Sequence, residues 1–188
     1  IWGVADREAG APVEPSTIFQ IGSATKVFTA TLLARQVVAG ELELQAPVAG
    51  LVPEGWEVPA GERPITLEDL ATHTSGLPAL PAGFTPATPQ DPYAGYGPEQ
   101  LRAGLAATGL AREPGTGYRY SNLGAGLLGY ALGQHLGSGW AEAVRAQLLE
   151  PLALEDTHAA LASVPRGRLA TGYDAADAPT SPWTFEAM

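Results

Sequence analysis

Ser23 and Lys26 stand three residues apart in Ser23-Ala24-Thr25-Lys26, at the start of a stretch with helical patterning. On a helix that spacing puts both side chains on one side and within mutual reach. A serine alcohol is a weak nucleophile and needs a neighbour to take its proton. A lysine, whose reference pKa is about 10.4, can do so only where burial or nearby charge lets it become neutral. The helix N-terminus adds unpaired N–H groups and the positive end of the dipole, which favour developing negative charge. Alone, the S-x-x-K spacing arises often by chance. Two facts add weight: the pair sits at the right end of an apolar helix, and Lys26 is the single lysine in a chain with nine arginines.

Tyr120-Ser121-Asn122 is the second group of interest. A tyrosine beside a Ser–Lys pair can accept the serine proton and pass it to a leaving group. The Asn122 amide could hold Lys26 and bind a substrate amide. The bland alternative is a turn before a helix, with Tyr120 packing and Asn122 capping. Read as S-x-N the triplet fails, because Leu123 follows Asn122; read as Y-x-N it works.

These residues need elements to hold them. Residues 1–6 and 17–21 read as a strand and an extended approach to a helix, joined by the polar segment Arg7 to Ser16. A helix is expected over 24–39, with Val27, Phe28, Leu32, Val37 and Val38 making it mostly apolar and buried, and Gly40 as its stop. Residues 41–64 read as loop. Thr66 can cap a short helix whose Asp69 completes the capping arrangement. Residues 76–98, with six prolines and four glycines, read as a functional rim or lid. Helices are expected over 97–110, from Asn122 to about Leu136, and over 140–149, before a mixed strand-and-loop remainder.

Composition excludes several classes. A formal net charge of −10 argues against nucleic-acid and anionic-lipid surfaces, which need clustered Lys and Arg. There are no cysteines, so disulfides, zinc–thiolate sites and iron–sulfur clusters are excluded. No apolar run reaches bilayer-spanning length. His73, His135 and His158 lack HExxH or any paired spacing, so no metal and no other cofactor is expected. The opening Ile1-Trp2-Gly3-Val4-Ala5-Asp6 shows no signal-peptide pattern and reads like the middle of a strand, so truncation is expected there.

Phe19-Gln20-Ile21-Gly22-Ser23-Ala24-Thr25-Lys26-Val27-Phe28-Thr29 resembles the nucleophile segment of the serine β-lactamase and DD-peptidase superfamily. Leu67 to Pro78, with Thr72-His73-Thr74-Ser75-Gly76, is similar to a second segment, which in that family closes a helix and places the loop after it. Pro114-Gly115 followed by Tyr118 and Tyr120-Ser121-Asn122 resembles the third, in the Y-x-N form of class C β-lactamases, their esterase relatives and D-aminopeptidase-like proteins. The class A pattern has S-D-N there. Three segments in the family's order are far more specific than any one. A rival reading of Ser75 as a G-x-S-x-G nucleophile is weak, since His73 replaces the first glycine.

The resemblance implies an α+β fold of the β-lactamase/transpeptidase type, an antiparallel sheet flanked by helices plus a mainly helical region, incomplete at the C-terminal strands. Residues 1–188 would form one partial catalytic domain, with 1–40 and 155–188 the α/β part and 41–154 the helical region. Ser23, Lys26 and Tyr120 would be catalytic and Asn122 substrate-binding. The partner would be a small molecule or peptide with an activated carbonyl: a lactam, a peptide ending in a D-amino acid, or an ester. An exported or periplasmic location agrees with the resemblance. The family's Lys-Thr-Gly or His-x-Gly strand, which supplies one oxyanion N–H, has no counterpart in these residues. A non-catalytic binding module or fragment of the same fold is the alternative.

Overall fold

The structure is a computed structural model and describes residues 1–184. Its first strand, β1 (Val4–Asp6), pairs antiparallel with β2 (Ala11–Pro12), which arises inside the polar segment that reads as a mere connection. The turn between them closes on a side chain, with Ala9 N donating to Asp6 Oδ1 at 2.8 Å. A two-residue ladder needs backbone partners rather than apolar side chains, so periodicity gives no warning of it. Residues 17–21 contribute one parallel bridge, Ile18 to Leu169, but the extended approach expected there does not run to its end: Ile21, at φ −90 and ψ 0, already turns into the next element.

A 3-10 turn over Gly22–Ala24 leads into α1 (Thr25–Val38). Here the expectation needs correction. The helix buries Thr29, Leu32, Leu33 and Gln36, whereas Val27 and Val38 are exposed. The buried set follows helical spacing and faces the helices described next, which leaves Val27 and Val38 on the opposite side. The two polar members of the buried face are both satisfied. Trp140 Nε1 donates to Thr29 Oγ1 at 3.0 Å and Gln36 Nε2 to Gln147 Oε1 at 2.7 Å. Hydrogen-bonded polar groups are tolerated in a core that would reject them unpaired.

Within residues 41–64 one 3-10 turn forms, Val48–Leu51, anchored by Val48 N to Ile65 O at 3.0 Å. The short helix α2 (Leu67–Ala71) starts with the expected capping box. Thr66 Oγ1 accepts from Asp69 N at 3.2 Å, and Asp69 Oδ2 accepts from Thr66 N at 2.9 Å. Asp69 also takes two bonds from the Arg63 guanidinium, at 2.6 and 2.9 Å. Helix α3 (Pro98–Ala107) has Pro98 in its first turn, where a missing N–H costs nothing. Helix α4 (Asn122–His135) is capped by Ser121, whose Oγ accepts from Gly124 N at 2.9 Å.

The core is built on α4, with Leu123, Leu127, Leu128, Ala131 and Leu132 buried against Leu32, Leu70, Leu101 and Leu105. Its glycines allow close approach. A Cβ at Gly133 would lie 2.6 Å from Trp140 N, at the start of α5 (Trp140–Val144). Helix α5 continues as a π turn over Arg145–Leu149. Two short strands, β3 (Gly172–Tyr173) and β4 (Pro179–Thr180), form a second antiparallel pair. The result is a helical body with small separate sheets. No helix among the described residues is long and apolar enough to cross a membrane.

Candidate active site

Ser23 is exposed at the mouth of α1, on the 3-10 turn that precedes it. Gly22 begins that turn with φ +53, a left-handed conformation that favours glycine. One helical turn on, Lys26 is half-buried and its Nζ lies 3.1 Å from Ser23 Oγ. Tyr120 arrives from the segment before α4, and its hydroxyl lies 2.6 Å from Ser23 Oγ. Lys26 Nζ also stands 4.9 Å from the centre of the Tyr120 ring. Ser23 Oγ therefore has both candidate proton carriers within hydrogen-bond reach.

The electrostatics favour an ionisable phenol. Burial, the largest influence on Tyr120, pushes its pKa up, but Lys26 and the hydrogen bond with Ser23 together outweigh it and bring it below the ordinary tyrosine value. Both hydroxyls can donate or accept. With the phenol neutral, Tyr120 donates to Ser23; with the phenol ionised, the serine O–H donates to it.

The segment carrying Tyr120 is pinned on two sides. Ser121 Oγ donates to Pro78 O at 2.6 Å, and Ala79 O accepts from Asn122 N and Leu123 N at 3.0 and 3.2 Å. The start of the Pro-rich loop is thus fixed against the start of α4. On the other face, His73 O accepts from Arg119 N at 2.8 Å, and His73 Nδ1 accepts from Ser121 N at 3.2 Å.

Asn122, the fourth residue singled out from the sequence, opens α4 and directs Nδ2 to the Tyr93 hydroxyl at 3.5 Å. Its side-chain hydrogen bond is thus made to the Pro-rich loop. Tyr93 packs edge-on against Trp183 with centroids 5.8 Å apart, and Trp183 exchanges two bonds with Gln20 at 2.9 and 3.1 Å. Gln20 lies three residues before Ser23, so an aromatic border links the nucleophile segment to Asn122.

Sequence reasoning did not join His73 or Tyr93 to the site. His73 stood out as part of the second family-like segment and of a rival nucleophile motif, and nothing in the spacing joins it to Tyr120. Tyr93 is an aromatic in an irregular segment with no periodicity to mark it, and from the sequence Trp183 reads equally as rim or core. Among the described residues there is no cluster of three or more His, Cys, Asp or Glu that could hold a metal ion.

Comparison with known proteins gives the same frame. The Beta-lactamase family model matches residues 1–187. Esterase EstB of Burkholderia gladioli is 46% identical over 77 residues, covering 40% of this chain and 20% of the esterase. Penicillin-binding protein 4 of Amycolatopsis lactamdurans is 44% identical over 77 residues, again 40% of this chain and 20% of the relative. A class C β-lactamase structure superposes with TM-score 0.78 at 30% identity, over 98% of this chain and 48% of that one. A β-lactamase/D-alanine carboxypeptidase from Yersinia pestis gives TM-score 0.72 at 28% identity, over 82% of this chain and 44% of that one. The chain thus spans about half the length of these structures, and its helices and small sheets are part of their α+β fold. By the match along nearly its whole length, the chain belongs to the Beta-lactamase family.

Proposed function

We propose that this chain carries the nucleophile side of a serine acyl-transfer site acting on lactam, D-amino-acid peptide or ester carbonyls. The observation that carries the reading is the convergence on one atom: Ser23 Oγ, with Lys26 Nζ at 3.1 Å and the Tyr120 hydroxyl at 2.6 Å. Relatives named as an esterase, a penicillin-binding protein and a β-lactamase support it.

The steps balance as follows. Ser23 Oγ attacks the carbonyl carbon while its proton passes to the Tyr120 oxygen, with Lys26 keeping that oxygen anionic in character. Carbonyl π electrons move to the oxygen, for which the Ser23 backbone N–H would serve as one donor. Collapse expels the leaving nitrogen or oxygen, which takes the proton from Tyr120, leaving an ester on Ser23. Water, deprotonated by the same pair, then attacks the ester, releases the acid and restores Ser23. Asn122 would contact the substrate amide from the α4 side, with Tyr93 orienting its side chain.

Mass spectrometry after incubation with a fluorophosphonate or a penicillin tests the reading. A covalent adduct on Ser23 that is lost in Ser23→Ala is the expected result. Absence of any adduct with both reagents overturns it and favours a binding module that keeps the fold without the reaction.

A further inference from the structure

We propose that His73 is a positioning residue for Tyr120, holding the peptide on both sides of it so that the phenol reaches Ser23. The inference rests on the reading of Ser23, Lys26 and Tyr120 as the reacting group, and adds a residue that this reading does not use.

The geometry comes from three contacts made by one residue. Helix α2 ends at Ala71, and the chain then turns through His73 at φ +59. Non-glycine residues adopt that conformation rarely, and a glycine would hold it at no steric cost. The histidine side chain that stands there is in use. Its Nδ1 accepts from Ser121 N at 3.2 Å, while its carbonyl accepts from Arg119 N at 2.8 Å. The N–H groups flanking Tyr120 therefore both end on His73. Its ring completes the hold, lying 4.6 Å from the Tyr120 ring at a tilt of 39°, and 5.9 Å from Tyr118 edge-on.

Ser121 is buried, so its N–H needs an acceptor inside the protein. Its Oγ is already committed to Pro78 O and to the cap of α4. Imidazole Nδ1 accepts only in the neutral form with the proton on Nε2. The titratable groups facing the ring are Lys26 from α1 and Tyr118 and Tyr120 from the segment before α4. Burial first, and the Lys26 charge second, lower the His73 pKa and keep the ring neutral at ordinary pH. Backbone strain of this kind persists where surrounding contacts over-determine it, and here those contacts converge on the segment that delivers Tyr120.

The test reads Tyr120 directly. Tyrosines labelled with carbon-13 are titrated by NMR, and Tyr120→Phe identifies the Tyr120 signal among the six tyrosines. His73→Asn keeps an acceptor, Oδ1, at the place of Nδ1 and tolerates positive φ. His73→Gly suits the backbone but removes acceptor and ring; His73→Phe keeps a ring without the acceptor. The parent phenol titrates below the ordinary value and His73→Asn retains this, whereas in His73→Gly and His73→Phe it moves up towards that value. Fluorophosphonate labelling of Ser23 should fall by up to ~10²-fold in the latter two, as misplacement of a reacting group does, with reagent affinity unchanged. Protonation of His73 in acid removes its Nδ1 acceptor, so labelling of the parent should fall there, and this fall should be absent in His73→Asn. A Tyr120 titration unchanged in folded His73→Gly and His73→Phe would overturn the proposal, as would His73→Asn behaving like His73→Gly. If the parent itself is not labelled, the acyl-transfer reading fails, while the titration still decides the role of His73.

Discussion

The Tyr120 hydroxyl lies 2.6 Å from Ser23 Oγ across a separation of 97 residues. That contact is made by two local structures, the 3-10 turn at Gly22–Ala24 and the capped start of α4, the second of which is held in place by the loop between Thr72 and Ala79. It ties the chemistry of the site to the packing of the helical body.

Removing either proton carrier should slow covalent labelling of Ser23 without unfolding the protein. We expect Tyr120→Phe and Lys26→Ala each to lower the labelling rate by roughly 10²–10⁴, the usual contribution of a positioned acid–base group. Stopped reactions followed by mass spectrometry give the rates. A rate within threefold of the parent for both variants would remove the pair from the mechanism.

Labelling should also rise with pH through the Tyr120 titration. Lys26 and Ser23 bring that phenol below its ordinary value against the opposing effect of burial. The midpoint of the rise should therefore fall below the reference of about 10 for a free tyrosine. Tyr120→Phe should lose this limb of the profile, leaving a flat, low rate over the same range.

Asp69 links pH to stability. Burial, the largest influence, raises its pKa, but the Arg63 bonds and the Thr66 donors outweigh it and hold the carboxyl below its ordinary value. The stabilisation is then fully present above the unfolded value of about 3.9 and is lost as pH falls through the lower folded value. Asp69→Ala should cost about 1–3 kcal/mol near neutrality, since it strands buried donors. Urea unfolding at a series of pH values checks this: parent and variant should converge at the acid end, and a constant gap would contradict it.

Gly133 tests the contact between α4 and the start of α5. A Cβ there would meet Trp140 N at 2.6 Å, a backbone atom that cannot swing aside. Gly133→Ala should destabilise by roughly 1–3 kcal/mol through overpacking, despite the better helix propensity of alanine. Gly50→Ala, where nothing lies within 4 Å of the added carbon, is the control and should leave the melting temperature nearly unchanged.

Much of the local structure was legible in the sequence. The Thr66–Asp69 capping box, Pro98 at a helix start and the Ser23–Lys26 spacing each depend on residues within one helical turn. For such features the backbone geometry alone sets which groups meet. The Y-x-N segment was legible as a motif because its three residues are consecutive. The tertiary structure decided what faces what. Periodicity marks α1 as apolar, but only the positions of α4 and α5 determine that Thr29 and Gln36 are buried while Val27 and Val38 are exposed. The same holds for Asn122, which meets Tyr93 of the Pro-rich loop. His73 is the sharpest case: its bonds to Arg119 and Ser121 span 46 and 48 residues, a distance over which no sequence period operates. Long-range contacts of this kind are chosen by how helices pack around a shared core, and that choice is made by the whole chain at once.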